Sequence, residues 1–185
     1  MARLFTYGKL NRHATIAGGN HLPGTYYGAW GIQYAAGAYN TTPDNAIEFG
    51  EVVEIVQSND KAYGVKRATS ALTLATAAIT LRDIVGVQTQ TIGTVEGPGT
   101  SKAFSVIPAS APTGWSVVVV LAASQTPAVA GLVYVGTATS VATVAGAIYT
   151  TDVGTECVAL TGWTFGGTKF TPTNGVGICA VITKL

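Results

Sequence analysis

Strand-like alternation of apolar and polar positions begins at Ile47 and returns in short pieces to the end of the chain. Successive side chains of a strand point to opposite sides. In Ile47-Glu-Phe-Gly-Glu-Val-Val-Glu-Ile-Val-Gln57 this puts Ile47, Phe49, Glu51, Val53, Ile55 and Gln57 on one face and Glu48, Val52, Glu54 and Val56 on the other. The alternation is imperfect, and a bulge near Gly50 would shift the phase and place Val52 with Ile47 and Phe49. Ser58-Asn-Asp60 reads as a turn and Lys61–Arg67 as the returning strand of a hairpin. Residues 69–81 carry two patterns: Leu72, Ala75 and Ile79 as a helical stripe, or Leu72 and Leu74 alternating with Thr73 and Ala75 as a strand. Their many threonines favour β or irregular structure, since β-branching costs side-chain freedom in a helix. Ile84–Ile92 reads as a strand and Glu96-Gly-Pro-Gly99 as a turn.

The remainder is a series of short β segments: Ala103–Ile107, Gly114–Leu121, Gly131–Val135, Gly146–Thr150, Gly162–Phe165 and Val176–Ile182. Pro108, Pro112, Pro127, Gly154, Pro172 and Asn174-Gly175 punctuate them. Strands this short and frequent predict an all-β fold, a compact β-barrel or β-sandwich of short antiparallel strands over residues 46–185. The lack of alternating βα units disfavours a Rossmann or barrel enzyme scaffold. Residues 1–45 have no sustained period, yet hold Phe5, Tyr7, Tyr26, Tyr27, Trp30, Tyr34 and Tyr39 among many glycines. They are expected to form an irregular N-terminal arm whose rings are buried, because a ring left in water forgoes roughly 150–250 Å² of burial. The arm either covers its own domain or reaches a neighbouring subunit.

Composition changes the picture at the surface. Of 185 residues only 10% are charged and 48% are hydrophobic, with a formal net charge of +1, where soluble domains carry about 25% charged residues. Much of the exterior must then be Thr, Ser, Gly, Ala and Asn, which protect weakly against association. The simplest resolution is that neighbouring copies or a larger assembly cover part of it. Near-zero net charge weakens a nucleic-acid or anionic-membrane partner. The longest apolar run, Val117–Ala123, is far short of the roughly 18 residues a membrane helix needs. The start has no apolar signal region, so a cytoplasmically made protein that is neither exported nor membrane-spanning is expected. Charge is uneven: residues 101–185 carry only Lys102, Asp152, Glu156, Lys169 and Lys184, whereas Arg3, Lys9, Arg12, His13 and His21 precede the first carboxylate, Asp44. That basic start is a solvated tail or an arm lying on an acidic partner surface.

The search for chemistry gives no catalytic, cofactor-binding or metal-binding residues. His13 and His21 lie in the irregular start without a Gly-x-Ser-x-Gly elbow. Cys157 and Cys179 have no companion at zinc-ligand spacing and read as buried thiols, with a disulfide between late strands as the alternative. Glu48, Glu51 and Glu54 could be imagined as a glycosidase or calcium cluster, but read more simply as the solvated face of an edge strand. Trp30, Trp115 and Trp163 with Tyr134 and Tyr149 are core residues or, alternatively, the stacking platform of a carbohydrate-binding β module.

The order of segments is familiar. The Gly- and aromatic-rich start, Asn45-Ala-Ile-Glu-Phe-Gly-Glu-Val-Val, Ile84-Val-Gly-Val, Gly114-Trp-Ser-Val-Val-Val-Val-Leu, Gly131-Leu-Val-Tyr-Val, Gly146-Ala-Ile-Tyr-Thr and Asn174-Gly-Val-Gly-Ile-Cys-Ala-Val-Ile together resemble the cement (capsid-decoration) proteins of tailed bacteriophages, over most of residues 28–182. The resemblance implies a non-enzymatic protein that binds the outer surface of an assembled capsid, bridges major capsid protein subunits and stabilises the shell against internal pressure. It also implies a small homo-oligomer, a homotrimer before a dimer. On this reading the arm contacts the shell through Arg3, Phe5, Tyr7, Lys9, Arg12, Tyr26, Tyr27 and Trp30, while the β body forms the oligomer.

Overall fold

A computed structural model describes residues 36–42, 47–58, 63–81, 94–95, 104–111, 113–137, 143–171 and 177–185. Residues 1–35, the expected strand 84–92 and the expected turn 96–99 lie outside the described residues. Among the described residues twelve strands follow one another: β1 (Ala36–Asn40), β2 (Ile47–Glu48), β3 (Val52–Ser58), β4 (Tyr63–Arg67), β5 (Ala77–Leu81), β6 (Thr94–Val95), β7 (Phe104–Pro108), β8 (Ser116–Leu121), β9 (Leu132–Gly136), β10 (Ile148–Tyr149), β11 (Cys157–Phe165) and β12 (Ile178–Lys184). A single 3-10 turn, Gly154–Glu156, is the one helical element among the described residues.

Ten of the strands form two closed five-stranded barrels, in the orders β1-β4-β3-β5-β7 and β10-β8-β12-β11-β9, and β2 pairs with β6 in a separate ribbon. The expected antiparallel pairing holds for four of the five contacts in each ring, but β1 runs parallel to β4 and β10 parallel to β8. Closure forces this: strand direction cannot alternate all the way round a ring with an odd number of members. The two rings also share one connectivity. Counting strands within each ring in chain order, the first pairs with the third in parallel, the third with the second, the second with the fourth, the fourth with the fifth and the fifth with the first. Closed rings leave no free strand edges to template aggregation.

One apolar residue from every strand fills the first barrel: Ala38, Val53, Val65, Ala78 and Val106, completed by Ile47 and Phe49. The second barrel is filled by Val117, Val119, Leu121, Val133, Val135, Ile148, Leu160, Trp163, Phe165, Ala180 and Ile182, and that cluster continues without a break onto Val52, Ala77, Ile79, Leu81, Ile107 and Ala109 of the first. Strand β5 is therefore buried on both faces along its whole length. Ala78 points into its own barrel, while Ala77, Ile79 and Leu81 pack against the other. The ambiguous stretch 69–81 resolves accordingly into turns at residues 70–71 and 74–76 followed by this strand.

Three expectations are corrected. The chain turns at Gly50 with φ of 80°, a left-handed conformation natural to glycine, and Val53 rather than Val52 joins Ile47 and Phe49. Strand β3 is not an edge, being paired with both β4 and β5, and Glu51 and Glu54 are buried rather than solvated. Within the stretch read as irregular, residues 36–40 form β1, whose Ala38 lies in the first core and whose buried Asn40 accepts from the Thr42 N–H at 2.9 Å.

Candidate interaction surface

The junction between the barrels is polar at one point. Glu51, only 5% exposed, accepts the Glu48 N–H at 3.0 Å through Oε2 and the Arg67 Nη2 at 3.2 Å through Oε1. Arg67 donates also to the Ala145 carbonyl at 3.5 Å, so one guanidinium ties a first-barrel carboxylate to a second-barrel turn. The Val52 N–H holds the same turn by donating to the Gly146 carbonyl at 2.9 Å, and the Val120 N–H joins the barrels separately by donating to the Gly50 carbonyl at 3.1 Å. Gly146 has φ of 82° and lies so close that a Cβ there would sit 2.7 Å from the Val52 oxygen, so only glycine fits the contact. Trp163 adds a third link, donating its indole N–H to the Ala109 carbonyl at 2.8 Å. Burial pushes the Glu51 carboxyl above its ordinary 4.5, against the pull of the Glu48 N–H and of Arg67. The second carboxylate, Glu54, pairs with Lys66 at 3.5 Å and accepts the Thr69 hydroxyl. Both acids are consumed internally, as struts of the first barrel.

The outer wall of the second barrel has the opposite character. Along β9, β11 and β12 the sole charged side chain is Lys184, and it is engaged, donating to the Thr161 carbonyl at 3.2 Å with its ammonium 5.8 Å from the Trp163 ring centre. Register sets a row of uncharged positions side by side: Leu132 opposite Thr164, Thr164 opposite Thr183, and Thr183 opposite Ser116. Thr183 and Ser116 share a hydroxyl hydrogen bond of 3.0 Å, and Ala159, Thr161 and Gly162 are exposed on the same wall.

Beside this row the turn before β9 carries an apolar tip. Val129 is 70% exposed, Leu132 64% and the terminal Leu185 66%, three of the five exposed large hydrophobics among the described residues. The tip is fixed by backbone: the Gly131 N–H donates to the Ala128 carbonyl at 2.9 Å, Ala130 N–H to Phe165 at 2.8 Å and Phe165 N–H to Gly131 at 3.1 Å. Ala130 is held at φ of 61°, an uncommon conformation for a side-chain-bearing residue. Leu185 joins the same wall through its N–H to the Gly162 carbonyl at 2.9 Å.

The predicted contact residues Arg3, Phe5, Tyr7, Lys9, Arg12, Tyr26, Tyr27 and Trp30 lie outside the described residues, as do His13 and His21. Trp115 and Trp163 are core residues, 5% and 1% exposed, and Tyr149 is buried with them, so these rings offer a glycan no platform. The Tyr149 hydroxyl accepts the Val144 N–H at 2.7 Å. Cys179 belongs to a small outer cluster with Val118 and Val181, and Cys157 packs against a different one built on Ala122, Ala147 and Tyr149; the two are not joined to each other. Among the described residues no three of His, Cys, Asp or Glu gather as a metal site, and no helix is long and apolar enough to cross a membrane. Sequence reasoning missed the Val129–Leu132 tip. Its signal was present in Pro127-Ala-Val-Ala-Gly131, an apolar turn where turn segments are ordinarily polar.

Fold and surface thus define an all-β protein of two fused barrels with a weakly charged exterior. This fold is shared with a chain of a solved structure described as "The capsid of Myoviridae Phage XM1", at 14% identity and a TM-score of 0.57, over 88% of this chain and 89% of that one. No family model matches the sequence, and no curated protein matches it.

Proposed function

We propose that this chain is a structural component of a bacteriophage virion, and within that class a cement protein that binds the outside of an assembled capsid and bridges major capsid protein subunits. The observation that carries this reading is the shared double-barrel fold with a phage-capsid chain over nearly the whole length of both. The physical character of the molecule supports it. Closed barrels welded through one continuous core make a stiff body, and a lattice that must resist pressure gains from stiff bridges. Few charges leave a surface that loses little hydration when covered. Many modest contacts repeated over a shell add up, because a bridge already attached at one end meets its second site at high effective concentration. The basic, aromatic residues 1–30 are assigned to the shell contact, and the barrels to self-association, as a trimer in preference to a dimer.

Incubation with purified empty capsids followed by sedimentation tests the reading. The full chain should pellet with shells, raise their disruption temperature and ignore glycan arrays. A version lacking residues 1–30 should stay in the supernatant while keeping the far-UV spectrum of the β body. Retained binding by the shortened chain would overturn the arm assignment, and no binding by the full chain would overturn the cement reading itself.

A further inference from the structure

The second ring closes unevenly along β12. On one side β12 pairs with β8 from Ile178 to Thr183, but on the other it meets β11 only at Ile182, Thr183 and Lys184. Beside Cys179 and Val181 its flank is covered by the connection that follows β11. Gly166 donates its N–H to the Val181 carbonyl at 2.9 Å, and Phe170 then returns to exchange both backbone hydrogen bonds with Cys179, at 2.9 and 2.8 Å. The half-buried Phe170 ring packs on Val118, Cys179 and Val181. These three lie outside the barrel, since their neighbours Val117, Val119, Ala180 and Ile182 fill its interior.

We infer that residues 167–171 form a strap that lifts from β12 while the barrel beneath it stays folded, and that this local opening governs access to the Val118–Cys179–Val181 patch and to the Cys179 thiol. The inference goes beyond the virion reading and does not depend on it.

Three observations carry it. The first is a pivot: Gly166 is tied to Val181, and a Cβ on it would sit 3.2 Å from the Thr183 hydroxyl, whereas a Cβ on Gly167 would meet nothing within 4 Å. The chain is therefore free to turn at Gly167, where glycine's backbone is also the most permissive. The second is the way the strap is held. Lys169 donates to the Gln125 carbonyl at 3.1 Å and to the Thr126 hydroxyl at 3.4 Å, both in exposed settings where water replaces such bonds at little net cost. The third is burial: Thr168, Lys169 and Thr171 are exposed, and Phe170 is packed on the small outer cluster rather than on the core that runs through both barrels. Lifting the strap forfeits the Cys179 bridge and one partly covered ring, and leaves the shared core intact. Openings of that kind belong to the low end of a protein's range of local stabilities. Cys179 supplies the reporter. Burial holds its thiol up to about 12, so the closed form offers almost no thiolate, and contact with water on opening returns the group toward its ordinary range.

Alkylation of the full chain by iodoacetamide over days, at urea concentrations below the unfolding transition and with Cys179 read by peptide mass, tests the strap. An opening that bares little surface responds weakly to urea, whereas unfolding of the barrel follows the full slope. The wild type should label at Cys179 slowly, with a urea slope below about one third of that for global unfolding. Phe170→Ala should label Cys179 at least about tenfold faster in buffer, the factor that loss of one partly buried ring supplies. Its Cys157, which packs against a different cluster, should label at the wild-type rate. A wild-type slope equal to the global one means that Cys179 is bared only when the barrel unfolds, and overturns the inference. A Phe170→Ala chain that labels Cys179 no faster than the wild type, or that speeds Cys157 equally, overturns it too. Should Phe170→Ala lower the urea midpoint, the wild-type slope decides alone: a shallow one upholds the strap and the global one removes it.

Discussion

The two barrels share a strand connectivity and differ in nearly everything that fills and surrounds them. The first has an interior of Ala38, Val53, Val65, Ala78 and Val106, holds both ion pairs found among the described residues, and has one wall covered by its neighbour. The second has an interior of large side chains, Trp163, Phe165, Leu160 and Ile182 among them, and strands β9, β11 and β12 that carry Lys184 as their one charged side chain. The same ring can therefore be stabilised by polar struts around a thin core or by apolar mass, and the chain uses one of each. The first barrel depends on the second, because half of what buries β5 belongs to the other ring.

This dependence predicts how the two respond to truncation. Trp163→Ala removes a side chain that is 1% exposed and the indole donor to Ala109, and should cost about 3–5 kcal/mol. Val65→Ala in the first interior removes far less and should cost about 1.5–3 kcal/mol. Urea unfolding followed by both tryptophan fluorescence and far-UV dichroism measures each. Both variants should show one transition with coincident probes, since a core continuous across the rings makes them one cooperative unit. Two separated transitions in either variant would break the picture of a shared core.

The contrast also marks what the sequence made legible. The hairpin of β3 and β4 and the strands β7, β8, β9 and β12 could be placed within a few residues, because each is a short apolar run bounded by Gly, Pro or a polar turn. What pattern cannot carry is pairing at a distance. Strand β1 closes the first ring against β7 across some seventy residues of chain, and nothing in Ala36-Gly-Ala-Tyr-Asn40 announces it. Glu51 and Glu54 read as solvated because acids in a strand ordinarily face water; here Glu51 meets Arg67 at the junction with the second barrel, and Glu54, on the other side of the strand, meets Lys66. Strand β11 is nine residues long, where only Gly162–Phe165 stood out, because its pairing with β9 slips between Ala159 and Thr164 and breaks the period. The surface was legible only as an average: low charge pointed to a covered exterior, but which wall is bare depends on how one barrel sits on the other.

A smaller effect separates the rings by pH. Glu51 has its carboxyl raised above 4.5 chiefly by burial, with Glu48 adding repulsion and the Glu48 N–H and Arg67 opposing. The folded chain therefore takes up this proton before the unfolded chain does, so the stability linked to Glu51 is fully present below about pH 4.5 and is lost as pH rises through the folded value. The stability of the wild type minus that of Glu51→Gln, from urea melts between pH 7 and about pH 3.5, should rise as pH falls and level off below about pH 4.5. Carboxylates common to both proteins cancel in that difference. A difference that shrinks on acidification would mean that the Arg67 pair outweighs burial. Among the described residues the buried acids, Glu51 and Glu54, both belong to the first barrel.

The finest distinction lies within the second barrel, between two thiols on its outer side. Cys179 is buried between Val118 and Val181, and burial pushes its thiol up to about 12. At pH 8 its thiolate fraction is roughly one part in ten thousand, and only the thiolate attacks. Cys157 is half-buried; its thiol is raised first by burial and then by Asp152 and Glu156, with a backbone hydrogen bond at Val153 pulling the other way. Iodoacetamide applied to the native protein without reductant should therefore add slowly at Cys157 and leave Cys179 untouched over the same hours. In denaturant, still without reductant, intact mass should show two adducts per chain, because the thiols occupy separate clusters and do not pair. A chain that accepts none until reduced would contradict the positions of β11 and β12, and rapid native labelling of Cys179 would mean that the wall of β8 and β12 opens far more readily than its packing implies.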